Sequence, residues 1–95
     1  MGPRKIEEFW FSDRFKREYK RAQPNIRAAA DGVFKNLMHD PDSHRCHGLK
    51  GYKPTVYVAD LFPNHSWQIT FEMVGAAAHL KRIATHSQID RDPRG

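Results

Sequence analysis

Cysteine is almost missing from this 95-residue chain: Cys46 stands alone, so neither an internal disulfide nor a paired-cysteine zinc ribbon can form. No apolar run nears the roughly 20 residues of a membrane span. The N-terminus has no signal-peptide pattern, so a cytoplasmic protein with no membrane partner is the simplest expectation. Internal repeats and low-complexity tracts are absent too. Acid is in short supply: 16 Lys and Arg outnumber 11 Asp and Glu, for a formal charge of +5, which makes an anionic partner the first functional idea. What is present suffices for one modest core, with 39% hydrophobic residues, six Phe, three Tyr and two Trp. A single domain over residues 1–95 is expected, with 1–5 and 91–95 flexible.

Periodicity sets the expected elements. Ile6–Phe11 is aromatic-rich and reads as a strand. Ser12 and Asp13 offer N-cap oxygens to a short helix with Phe15, Tyr19 and Ala22 on its apolar stripe and Arg14, Lys16, Arg17, Lys20 and Arg21 outward. Pro24 breaks it and starts a second helix, on which Ile26, Ala29, Ala30, Val33, Phe34, Leu37 and Met38 recur at steps of three and four. Gly32 inside that helix suggests close packing there, and Asp40-Pro41 ends it. Val56–Phe62 is apolar on both parities, as a buried strand should be. Trp67, Ile69, Phe71 and Met73 alternate with polar neighbours, and Gly75 turns the chain into a last strand that runs from Ala76 through Thr85. The expected architecture is α+β: a small, mainly antiparallel four-stranded sheet in the order β-α-α-β-β-β, with both helices on one face and the other face partly open.

Three of the six histidines, His47, His65 and His86, fall at strand ends or in loops. A neutral and a charged imidazole can serve as general base and general acid near pH 7. RNA carries its own nucleophile, the 2′-hydroxyl, so its cleavage asks for a base, an acid and cations around the phosphate, with no metal or other cofactor. Lys50, Lys53, Lys81, Arg82 and Arg91 are candidate cations, and Arg45 lies in the same basic loop as His44 and His47. Solvated surface residues would show the same pattern. A zinc site at His44, Cys46 and His47 fits no standard four-ligand spacing, and Trp67 and Phe71 are better read as core than as stacking platforms.

Taken together, these segments resemble the RelE/ParE superfamily of type II toxins, in particular its YafQ-like branch. The resemblance rests on the element order, on Asp40-Pro41 and on the H-x-L-x-G stretch from His47 to Gly51. It rests further on the aromatic-led strand Trp67–Phe71 and on the ending from Leu80 to His86. It implies a toxin that cuts mRNA on the ribosome and is blocked by a cognate antitoxin protein. It places His86 at a catalytic position on the last strand and His47 at a second one. His65 stands near the third, which aligns close to Phe62. Arg82, Lys50, Lys53, Lys81 and Arg45 would hold the RNA. Ser66, Gln68 and Asp90 depart from the residues the family usually carries. The departures at Ser66 and Gln68 support a second reading, a ParE-like toxin that binds DNA gyrase without cutting. A homologue that has lost its chemistry is a third.

Overall fold

The computed structural model describes residues 5–40, 46–61 and 66–94. Its elements are β1 (Glu8–Phe11), α1 (Asp13–Arg21), α2 (Pro24–His39), β2 (His47–Gly48), β3 (Val56–Asp60), β4 (Trp67–Val74), β5 (Ala77–Thr85) and α3 (His86–Arg91). One sheet contains all five strands in the order β1-β5-β4-β3-β2. The pairs β2–β3, β3–β4 and β4–β5 are antiparallel, whereas β1 lies parallel to β5. The sheet is mainly antiparallel as expected, but the expected four strands are corrected to five, with β2 added and β1 forming a parallel pair. Two residues, His47 and Gly48, are too few for a period to show, and they pair because the turn after them closes with a Leu49 N–H bond to the Val56 carbonyl at 2.7 Å. The first strand shows a period but no partner; tertiary pairing brings Phe9 beside Ala78.

Local chemistry explains the helices. The Ser12 hydroxyl accepts the Phe15 N–H at 3.0 Å and donates to the Lys81 carbonyl at 3.1 Å, so one side chain caps α1 and ties it to β5. Pro24 begins α2, where a missing N–H costs no helical bond. Ile26, Ala30, Val33 and Leu37 form the buried stripe of α2 and share one core with Ile69, Phe71, Leu80 and Ile83 of the sheet. Gly32 does not mark a close contact: a Cβ there would meet nothing within 4 Å. At the hairpin, Gly75 has φ +61°, the left-handed geometry its turn demands.

A register shift between Thr70 and Phe71 leaves Lys81 as an extra residue on β5, because Thr70 pairs Arg82 while Phe71 pairs Leu80. Leu80 and Ile83, three apart, therefore face the same core, and Arg82 and Ala84 turn to the opposite face. That face is more covered than expected. The third helix, α3, lays Ile89 against Val58 and Ala84. Beyond it Pro93 is buried, and its carbonyl accepts the Thr70 hydroxyl at 2.7 Å.

Candidate functional site

His86 is the first residue of α3 rather than part of the last strand, a second correction. The strand ends because Thr85 caps the helix: its side chain accepts the Gln88 N–H, and the Gln88 side chain accepts the Thr85 N–H at 3.1 Å. This reciprocal capping box satisfies two donors that would otherwise be orphaned. The His86 N–H still bonds the Ser66 carbonyl at 2.7 Å, which holds the start of α3 against the start of β4. One turn later Asp90 meets the imidazole, Oδ2 lying 3.1 Å from Nδ1. Both side chains are exposed, and the pairing leaves Nε2 as the ring nitrogen available to another molecule.

Arg82 differs from its expected role as an RNA-binding cation. It is 4% exposed, and all three nitrogens of its guanidinium are engaged. Nε and NH2 donate to the two carboxylate oxygens of Glu18 at 3.2 and 2.6 Å, and NH1 donates to the Gln88 and Asp92 carbonyls at 3.2 and 2.9 Å. Glu18 also accepts the Ile83 N–H at 3.3 Å. Since β1 accompanies β5 only to Leu80, this carboxylate takes the place of a neighbouring strand along the next part of the β5 edge. Arg82 thus joins α1, β5 and α3, and it positions the helix that carries His86.

The remaining predicted residues are spread out. His47 is exposed on β2, in one row with Val58, Thr70 and Arg82. Three inter-strand steps of about 4.8 Å, plus the four residues from Arg82 to His86, put the two histidine Cα atoms on the order of 15 Å apart or more. Lys50 and Lys53 are exposed in the connection from β2 to β3, beside Val56, whereas Ser66 and His86 stand at the opposite end of the strands. Lys81 is half-buried, 3.9 Å from Glu72. His65, Arg45 and His44 lie outside the described residues; the anchors of the 62–65 connection, Leu61 and Ser66, are at the His86 end. Cys46 is buried in the core while its neighbour His47 faces solvent, and no three His, Cys, Asp or Glu gather among the described residues. Gln68 is buried and donates to Asp60 at 2.8 Å. No described helix is long and apolar enough to cross a membrane.

Sequence reasoning missed Glu18 and the pairing role of Asp90. The second was detectable: Thr85-His-Ser-Gln88 has capping-box spacing, and once it is read as a helix start, His86 and Asp90 fall at i and i+4. Glu18 gave no comparable signal, being one charge on a helix crowded with charges.

Compared by sequence, the chain matches no family model and no curated protein. Compared by structure, it matches solved toxins over nearly its whole length. A double arginine-to-alanine mutant of E. coli toxin RelE in the free state superposes with a TM-score of 0.74 at 11% identity, covering 94% of this chain and 93% of that one. The RelB-RelE antitoxin-toxin complex from Methanococcus jannaschii gives 0.69 at 16% identity, covering 86% and 95%. The E. coli DinJ-YafQ toxin-antitoxin complex gives 0.68 at 16%, covering 90% and 97%. The fold is that of the RelE and YafQ toxins.

Proposed function

We propose that this chain is the toxin of a type II toxin-antitoxin pair and that it cuts mRNA on the ribosome. The observation that carries the reading is the His86–Asp90 pair, set at the end of a RelE-like sheet where the family resemblance implies a catalytic histidine. In the neutral ring Nδ1–H donates to Asp90, so Nε2 accepts the proton of a 2′-hydroxyl. The freed oxygen attacks the adjacent phosphorus, a 2′,3′-cyclic phosphate forms, and the 5′-oxygen leaves with a proton supplied by a second group. His47 or His65 is the candidate donor. Lys50, Lys53, Lys81 and Arg45 offset the charge of flanking phosphates, and Arg82 fixes α3 from beneath. An antitoxin protein is the expected partner, since similar folds are solved in complex with RelB and DinJ.

A second reading is favoured by the distance between His47 and His86: a toxin that binds DNA gyrase needs no converging acid and base. In vitro translation with primer extension on the message separates the two. Cuts are expected only with ribosomes present, lost in His86→Ala and reduced in Asp90→Ala, with both variants folded. Undiminished cutting by soluble His86→Ala would remove His86 from the chemistry. Intact message with gyrase-trapped DNA breaks would establish the second reading instead.

A further inference from the structure

One row of the sheet, away from His86, places Val56, Glu72 and His79 side by side on β3, β4 and β5, with Trp10 next in line on β1. Phe9 and Phe11 turn toward the helices, where both meet Phe34, so alternation sends Trp10 to the opposite face. Trp10 is 57% exposed, and its ring lies on His79 at a centroid distance of 5.1 Å and an interplanar angle of 7°. Glu72, across from His79, draws two cations into the same row: Lys81 at 3.9 Å and Arg94 at 3.4 Å. The Arg94 guanidinium in turn sits 5.1 Å over the Tyr52 ring and donates to the Pro54 carbonyl at 3.1 Å. Aromatic and cationic groups therefore alternate across the sheet, with one largely covered acid between the two cations.

We infer that this band binds single-stranded RNA, with an unpaired base stacked on the free face of Trp10 and the backbone tracking along Lys81 and Arg94. The inference rests on the RNA-cutting reading and deepens it, adding a binding surface away from the scissile phosphate. Three features favour a base over an apolar protein partner. The apolar area is one ring wide, because Phe11 faces the helices and Val74 lies at the hairpin end. A protein hot spot is normally a cluster, whereas one indole matches one base. The imidazole backing holds the indole in a fixed plane, which reduces the ordering needed to stack on it. The cations supply the charge that a nucleic-acid backbone requires and an apolar patch does not. On β4, the row of Glu72 and His79 and the row of Trp67 and Thr85, the residue before His86, are five residues apart, about 17 Å of strand, so the stacked base belongs to a nucleotide several positions from the cut.

The test uses an octamer with 2′-O-methyl sugars, which cannot be cut, titrated against the protein without antitoxin at fixed salt. Tryptophan fluorescence is read in a Trp67→Phe background so that Trp10 reports alone, and anisotropy of a labelled octamer gives the affinity of each variant. Octamer binding should quench Trp10. Trp10→Ala should weaken binding about ten-fold, within the range for losing one base stack, while Trp10→Phe should lose less. An abasic octamer should bind wild type and Trp10→Ala alike. Circular dichroism confirms that the exposed substitution leaves the fold intact. Equal octamer affinity in wild type and Trp10→Ala overturns the platform and leaves the nuclease reading standing. Failure of the unaltered protein to bind the octamer at all, together with uncut message in the translation assay, overturns both. If Trp10→Ala leaves RNA affinity unchanged but weakens capture of a partner protein, the surface serves that partner and the inference is wrong.

Discussion

Replacing Glu18 by Ala should destabilise the protein by about 3 kcal/mol, a large effect for a residue that is not fully buried. The guanidinium of Arg82 sets the magnitude, since that side chain is only 5% exposed. Removing one partner from a buried ion pair typically costs about 3–5 kcal/mol, because the remaining charge is left uncompensated in a poorly polarisable setting. Two facts place Glu18→Ala at the low end. The Glu18 side chain is 21% exposed, so water can enter the space it leaves. Arg82 also keeps the Gln88 and Asp92 carbonyls. The Ile83 N–H loses its acceptor as well, and water at this rim can replace that bond. For a domain of this size, about 3 kcal/mol corresponds to a fall in Tm of about 12–24 °C. Urea denaturation monitored by tryptophan fluorescence measures it directly. The pairing also makes a sharper claim through a double-mutant cycle. Glu18→Leu combined with Arg82→Met removes both charges and leaves apolar volume, a change that is often near neutral. The double variant should therefore be more stable than Glu18→Leu alone. A loss below about 1 kcal/mol for Glu18→Ala, or single-mutant costs that simply add, would refute a buried, mutually dependent pair. Because Arg82 also grips the Gln88 and Asp92 carbonyls around α3, Glu18→Ala should lower any activity that depends on His86 below the denaturation midpoint.

Local contacts give two further outcomes. Thr85→Ala removes the oxygen that caps α3 and should cost about 1 kcal/mol, read as a lower urea midpoint, with Thr85→Ser restoring most of it. The Tyr19 hydroxyl is held above its ordinary pKa near 10, first by burial and then by its hydrogen bond and charge contact with Asp31, against a small opposing effect of Arg27. The folded state thus holds this proton more tightly than the unfolded chain. The resulting stability is fully present below about pH 10 and is lost as pH rises through the higher folded value. Urea midpoints at pH 8 and pH 10.5 should converge in Tyr19→Phe relative to wild type, and an identical alkaline decline in both would contradict the assignment.

Helices were more legible in the sequence than the sheet, and the reason is physical. Helical order is local: Ser12 capping Phe15 and Pro24 opening the stripe from Ile26 to Leu37 can be read within one window. Sheet order is not, and nothing in Glu8–Phe11 announces a parallel partner almost seventy residues away. The bulge at Lys81 matters most, because an extra residue inverts the parity of every later position on the strand. An unbroken alternation from Ala76 puts Arg82 on the same face as Ala78 and Leu80, toward the core. In the structure Arg82 turns instead to Glu18, and His86 leaves the strand for the first turn of α3. The candidate site is non-local in the same way. Histidine and lysine identities can be picked out of a sequence, but their convergence depends on register, and here His86 with Asp90 occupies one end of the strands while Lys50 and Lys53 occupy the other. A residue that looked like a departure from the family pattern, Asp90, proves to be the contact that orients the imidazole. On the RNA-cutting proposal, cations spread along the sheet in this way would contact flanking nucleotides of a polymer rather than surround one phosphate.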